Sequence, residues 1–170
     1  MENIRTQLTL FIEQSNETIE KIRAEYNLKQ YNLISAHITL CREDEIAEME
    51  EVIERIKLIN LKKPIRIEFK KVERFSLGKG VLIPAIDKNI AFRELRKSVL
   101  GQKKLTKERC PHITLMHPRN SECTNEIFKK IESQDLPTEL LFKKISLIEQ
   151  INGGKWNVIK EFNIVNKNDI

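Results

Sequence analysis

Two stretches of the chain carry the same tetrapeptide: AHITLCRED at 36–44 and CPHITLMHPRN at 110–120. The two copies stand 75 residues apart and hold two of the chain's three histidines, His37 and His112. Alternation of apolar and polar residues, rich in β-branched types, reads as a half-buried strand at both places. In a strand, successive side chains point to opposite faces. His37 and Thr39 therefore share one face, and Ile38 and Leu40 the other. His112 and Thr114 stand in the same relation to Ile113 and Leu115. Residues two apart on a strand are separated by about 6–7 Å. Each copy thus presents an imidazole and a hydroxyl side by side on a rigid element.

The surroundings repeat as well. TQLTLFI (6–12) reads as a strand. SNETIEKIRAEY (15–26) reads as a helix, with apolar residues at 19, 22 and 26. LISAHITL (33–40) is the first motif strand. EDEIAEMEEVIERIKLI (43–59) places Ile46, Met49, Val52 or Ile53, Ile56 and Ile59 on one helical face. Pro64 opens IRIEFKKVERF (65–75), an alternating strand. GKG (78–80) turns the chain into VLIPAI (81–86).

The order then begins again. IAFRELRKSVLGQ (90–102) is helical, PHITLMH (111–117) is a strand and TNEIFKKIESQ (124–134) is a helix. LLFKKISLIEQ (140–150) and KWNVIKEFNI (155–164) are strands joined by NGG (152–154). Each half reads helix, motif strand, helix, strand, strand. The expected class is α+β: a bilobal duplicated fold with two antiparallel sheets flanked by helices around a central cleft. Residues 1–170 are expected to form one domain of two pseudo-symmetric lobes, each contributing one motif strand.

Composition narrows the setting. A 40% hydrophobic and 32% charged chain is ordinary for a folded protein. No apolar run approaches the roughly 20 residues of a membrane span, so no membrane association is expected. MENIRTQLTLFIEQ lacks the pattern of a signal peptide. Three cysteines (Cys41, Cys110 and Cys123) without a disulfide-rich pattern suit a reducing cytoplasm. Charge is unevenly placed. Residues 1–60 carry 7 Lys/Arg against 12 Asp/Glu, residues 61–109 carry 15 against 5, and residues 110–170 carry 8 of each. The basic middle suits a polyanionic partner, although scattered lysines on a solvated surface give the same count.

Two imidazoles and two hydroxyls converging in one cleft suit phosphodiester chemistry. A histidine pKa near 6.5 allows one ring to accept a proton and the other to donate one near neutral pH. Threonine hydroxyls can hold non-bridging phosphate oxygens. A zinc site is the chemical rival, because Cys41 and Cys110 fall at even offsets from the histidines. His37 and Cys41 stand about 13 Å apart along an ideal strand, whereas zinc ligands lie about 2.0–2.3 Å from the metal. One strand cannot supply both. The cysteines read as small apolar fillers, and neither a metal nor a cofactor is expected.

Two H-x-T-L motifs in matching strand settings resemble the two-histidine phosphoesterase superfamily, which includes 2′-5′ RNA ligase-like and cyclic phosphodiesterase proteins. The resemblance spans essentially the whole chain, down to the closing hairpin ISLIEQINGGKWNVIKEFNI. It implies metal-independent cleavage or transfer at a 2′,3′-cyclic phosphate or a 2′-5′ phosphodiester of RNA or nucleotides. His37 and His112 are then the acid–base pair, and Thr39 and Thr114 the phosphate-binding residues. Ala36 departs from the proline that relatives often carry before the motif, while Pro111 keeps it. His117 stands where relatives often carry arginine, with Arg119 two further on. Arg42 is the counterpart of His117 after the first motif, so Arg42, His117 and Arg119 are candidate substrate contacts.

Trp156 reads as core. Tyr26, Tyr31 and Phe75 could each stack on a base, and the sequence does not choose among them. GKG at 78–80 is a hairpin turn rather than a phosphate loop, because no helix start follows it. The expected partner is an RNA end or a small cyclic or 2′-5′ nucleotide, met by a monomer. A module that binds such a ligand without turning it over, and ligation by the reverse reaction, are the alternatives. With no metal in the scheme, activity is expected to survive EDTA. Loss on chelation that added metal restores would overturn it.

Overall fold

The computed structural model describes residues 2–101 and 108–166. In chain order the elements are β1 (Ile4–Phe11), α1 (Glu17–Tyr26), α2 (Leu28–Leu33), β2 (His37–Cys41), a one-turn 3-10 helix (Glu43–Glu45) and α3 (Met49–Lys57). Next come β3 (Ile65–Glu68), β4 (Glu73–Phe75), β5 (Gly80–Pro84), α4 (Ile90–Leu100) and β6 (His112–Met116). The chain closes with α5 (Asn125–Glu132), β7 (Glu139–Phe142), β8 (Lys144–Ile151) and β9 (Trp156–Asn163). Gln102, the last residue of the helix predicted at 90–102, lies outside the described residues. Among the described residues no helix is long and apolar enough to cross a membrane.

All strand pairing within the sheets is antiparallel. The first motif strand lies at the edge of a sheet of order β2-β1-β8-β9, and the second at the edge of β4-β5-β6. A separate pair, β3-β7, runs between Ile65↔Phe142 and Glu68↔Glu139. The strands expected at 65–75 and 140–150 are both interrupted, the first around residues 69–72 and the second at Lys143. Each interruption lets one strand leave the β3-β7 pair and join a motif sheet, β4 beside β5 and β8 beside β1. Phe69, bridged to Ala85, marks one such corner. The halves are therefore not self-contained. Each motif strand pairs with the strand that precedes its helix, and β8 and β9 complete the sheet of the first motif.

Other departures have local causes. The helix expected over 43–59 is divided, because the Glu45 carboxylate turns back to accept the Arg42 backbone N–H at 2.9 Å and closes the 3-10 turn. Helix α2 was not expected. It buries none of its residues, so it lacks the apolar periodicity by which helices are read. The β8-β9 connection follows its sequence: Asn152 and Gly153 both take left-handed backbone, at φ 52° and 73°, as the centre of a turn closed by Gly154 N–H donating to Ile151 O at 2.9 Å. The core lies under the two motif sheets and the helices, with Leu8, Leu10, Ile38, Leu40, Phe92, Ile113, Leu115 and Ile145 all fully buried.

The two motif strands share one irregularity. Thr9 opposes Thr39 and Leu8 opposes Cys41, so β2 carries one residue more than its partner, Leu40. Leu82 opposes Thr114 and Val81 opposes Met116, so β6 carries Leu115 in the same way. Such a bulge disturbs the ladder and leaves the extra residue unpaired. Buried carbonyls require partners, and both leucines find one across the molecule. Arg96 of α4 donates to the Leu40 carbonyl, and Asn27, at the end of α1, donates to the Leu115 carbonyl at 3.4 Å. Both side chains are buried.

Arg96 also pairs with Glu45 at 2.7 Å, and Arg109 reaches the same carboxylate at 3.0 Å. Burial alone would raise the Glu45 carboxyl, but hydrogen bonds from Arg96, the Arg42 backbone and Arg109 outweigh it and hold the group at about 2. Glu45 ordinarily titrates near 4.5. Its depressed value means that its contribution to stability is present above that pH and lost as pH falls toward 2. Arg96→Ala is expected to lower unfolding stability at pH 7 by about 1–3 kcal/mol, because it leaves the buried Leu40 carbonyl without its partner and takes one of two arginines from Glu45. Asn27→Ala is expected to cost about 1 kcal/mol. Urea unfolding measures both, and an Arg96→Ala protein as stable as the parent would remove the cross-tie from the account.

Candidate active site

Strands β2 and β6 lie side by side, with Cα atoms within 8 Å of one another. Their burial patterns match residue for residue. His37, Thr39, His112 and Thr114 are half-buried, and the Ile and Leu of each motif are buried, as is the residue that follows. Period-two alternation thus gave the correct face at both sites.

The imidazoles are anchored alike. The Nδ1–H of His37 donates to the Ser35 carbonyl at 2.8 Å, and that of His112 donates to the Cys110 carbonyl at 3.0 Å. A carbonyl can only accept, so each neutral ring keeps its proton on Nδ1. Nε2 is left in both rings as the atom available for chemistry. The backbone approaching each histidine is tied in the same way: Ile12 N–H donates to Ala36 O at 3.1 Å, and Ala85 N–H donates to Pro111 O at 2.9 Å.

Outside the tetrapeptides the two settings diverge. Ala36 has an N–H that Pro111 lacks, and Glu20 Oε1 accepts it at 2.5 Å. The other Glu20 oxygen binds the buried Arg23 at 2.6 Å, and Arg23 Nη2 donates to Ile34 O, also at 2.6 Å. A guanidinium therefore sits close to the first histidine. Burial is the largest influence on His37 and lowers its pKa; the Ser35 hydrogen bond opposes this, and the charges of Arg23 and His112 lower it further, to about 4. His37 is thus a neutral imidazole at pH 7. The influence of His112 on it also shows that the two rings lie within electrostatic reach.

The threonines differ too. Gln7 Nε2 donates to Thr39 Oγ1 at 3.1 Å and to the buried Thr9 Oγ1 at 2.8 Å. Because Thr39 accepts from Gln7, its own hydroxyl proton is free for another acceptor. Among the described residues Thr114 makes no side-chain hydrogen bond, and it stands opposite Leu82. Gln7 was missed in the sequence. Alternation along β1 places Gln7, Thr9 and Phe11 together, but only the register against β2 shows that this is the His37 face. Phe11 meets the His37 ring edge-on, with centroids 6.1 Å apart.

The remaining candidates fare differently. His117 Nδ1 accepts the Arg119 backbone N–H at 3.2 Å, which leaves Nε2–H as its donor. Burial, and then the Arg119 charge, lower its pKa. The Arg42 and Arg119 residues are exposed. Trp156 is not core as expected: it is half-buried at the start of β9, with the Arg5 guanidinium 5.5 Å from its ring centroid. Cys41 and Cys123 are buried and Cys110 is exposed. Burial pushes the Cys41 thiol up to about 12. Among the described residues, no three His, Cys, Asp or Glu side chains come together as a metal site. Much of the basic middle is paired, with Arg66 to Glu68 and Glu139, Lys70 to Asp87, Arg93 to Glu108 and Lys97 to Glu94.

Two motif sheets, each presenting an H-x-T-L strand at a shared seam, define a two-histidine phosphoesterase fold. A family model for the 2′-5′ RNA ligase superfamily matches residues 11–154, and the chain belongs to that superfamily. Among solved structures, E. coli LigT complexed with phosphate is similar with a TM-score of 0.64 at 13% identity, covering 98% of this chain and 100% of LigT. LigT complexed with NADP+ gives 0.63 at 14% identity, covering 98% and 100%. The Thermus thermophilus protein TT0787 gives 0.55 at 15% identity, covering 94% and 97%. At these identities the likeness is one of fold. No curated protein sequence matches the chain.

The environment of His37 is directly measurable. Nitrogen-15 NMR titration is expected to show Nε2 of His37 remaining unprotonated from pH 7 downward, with its midpoint near pH 4. A depressed histidine binds its proton more readily in the unfolded chain, so stability should fall as pH drops from about 6.5 toward that midpoint. A midpoint at or above the free-histidine value would remove Arg23 and burial as causes.

Proposed function

We propose that the protein is a metal-independent phosphodiesterase acting on a 2′,3′-cyclic phosphate or a 2′-5′ phosphodiester of RNA or nucleotides. One observation carries this reading: two H-x-T-L strands with the same bulge and register, each holding its histidine by Nδ1 so that Nε2 is free. We read residues 1–170 as one domain whose two lobes close on this site.

The assignment of roles follows from the unequal settings. His37, held neutral, is the general base, which leaves His112 as the general acid. Nε2 of His37 removes a proton from an attacking water. The water oxygen bonds to phosphorus, and the bond from phosphorus to a ribose oxygen breaks. That oxygen takes the Nε2 proton of His112. His37 ends protonated and His112 neutral, and exchange with solvent restores both. Thr39 and Thr114 donate to the non-bridging oxygens, where negative charge builds. Thr39 is ready for this because Gln7 already occupies its acceptor side. His117, Arg119 and Arg42 are further contacts for the substrate. LigT, whose fold this chain shares, has been crystallised with phosphate and with 3′-AMP. A 3′-monophosphate is what opening a 2′,3′-cyclic phosphate at the 2′ oxygen would leave.

The test is hydrolysis of 2′,3′-cyclic nucleotides and of a short RNA ending in a 2′,3′-cyclic phosphate. His37→Ala and His112→Ala are each expected to lose a factor of about 10² or more in kcat/KM while unfolding as the parent does. Normal turnover in either variant would sink the mechanism. Phosphorus-31 NMR of the product shows which ribose oxygen leaves.

A further inference from the structure

The sequence left three aromatic side chains as equal candidates to meet a base, and strand register separates them. Tyr26 packs against the core and Tyr31 lies on α2. Phe75 is different. It opposes Gly80, Glu73 opposes Leu82, Leu82 opposes Thr114 and Pro84 opposes His112. Residues directly opposed across a ladder share a face. Phe75, Gly80, Leu82, Thr114 and His112 therefore lie on one face of the second motif sheet. Burial agrees: Val81 and Ile83 point into the core, while Leu82 and Phe75 are half-buried.

The ring lies directly on the backbone of Gly80. A Cβ there would fall 2.4 Å from Cε1 and 2.6 Å from Cζ of Phe75, so only glycine lets the ring lie down. Gly80 is one strand across from the Thr114 strand, about 5 Å, and two residues along, about 6–7 Å, which puts the ring about 8 Å from Thr114. That is the reach of a nucleotide from its phosphate across the ribose to its base. Besides His112, Glu73 is the charged side chain among these strand residues on that face, so the place disfavours a second phosphate and suits an uncharged ring. On the first motif sheet Phe11 is an aromatic on the site face, opposite His37, but its ring is engaged edge-on with that imidazole. Beside Thr39 that sheet places Thr9 and Gln7, which are polar and bonded to one another.

We propose that Phe75, laid over Gly80, is the stacking platform for the substrate's nucleobase, so that the protein selects nucleoside cyclic phosphates over base-free ones. This rests on the phosphodiesterase reading and sharpens it. With the base on the β4-β5 side, the ribose lies nearer His112 than His37. His112 then protonates the departing ribose oxygen, and water enters from the His37 side. Because every base has a π face, the platform should discriminate weakly among bases.

The experiment compares adenosine and cytidine 2′,3′-cyclic phosphates with the 2′,3′-cyclic phosphate of methyl riboside, which has no base. The parent is expected to favour both nucleotides by about tenfold or more in kcat/KM. Phe75→Ala is expected to erase that preference through KM, and Phe75→Trp to keep it. Calorimetric binding of 3′-AMP against ribose 3-phosphate reads the same preference independently of turnover. Equal handling of base-bearing and base-free ligands by the parent, or an unchanged ratio in Phe75→Ala, overturns the platform while leaving the phosphodiesterase intact. Absence of turnover on every substrate overturns the phosphodiesterase reading instead, and the binding ratio then decides the platform alone.

Discussion

The arrangement hangs on two hydrogen bonds that cross between the motif sheets. Each motif strand carries one residue too many for its ladder, and each surplus residue is the motif leucine. Arg96 and Asn27 complete the two freed carbonyls from the helix belonging to the opposite motif. These ties join the edges of two sheets that share no ladder at this seam, and they do so one residue from each threonine. Two imidazoles can work as a pair only where their separation is fixed, and buried polar contacts satisfied on both sides are well suited to fixing it.

Within that frame identical tetrapeptides acquire unequal chemistry. His37 and His112 have the same neighbours along the strand, the same anchoring carbonyl two residues back and the same burial class. What distinguishes them comes from outside the motif. Alanine rather than proline at 36 leaves an N–H for Glu20, and Glu20 in turn holds Arg23 near His37. Burial first, and then the charge of Arg23, hold His37 below the ordinary histidine value.

Features of period two or of strong apolar spacing were legible in the sequence. The faces of His37, Thr39, His112 and Thr114, the helices around Val52 and Phe92, and the Asn152-Gly153 turn all follow from spacing or from backbone preference. Helix α2 was hidden because it buries nothing. The interruption at Lys143 was hidden because alternation continues through it, and the strand changes partner without changing its pattern. Gln7, Arg23 and Phe75 act through residues 32, 14 and 5 positions away, and only the fold shows which of those separations becomes contact. Trp156 was misplaced because a tryptophan in a strand is ordinarily buried, whereas β9 is an edge strand whose residues are mostly exposed. In the basic middle Lys70, Arg93 and Lys97 pair with carboxylates of the same stretch, while Arg66, Arg96 and Arg109 also reach Glu139 or Glu45 from outside it.

The exchange of strands between halves bears on how the chain becomes active. The sheet of the first motif joins β1, near the start of the chain, to β8, near its end, with Ile4 opposite Ile151. On a ribosome β1 and β2 emerge long before β8, so the hairpin-like edge of β1 waits unpaired through most of synthesis. Long-range antiparallel pairing of this kind is slow to form and exposes sheet edges meanwhile. Neither half can mature as a separate small protein, since each lacks a strand the other provides. The repeat visible in the sequence is thus not a pair of separate folding units.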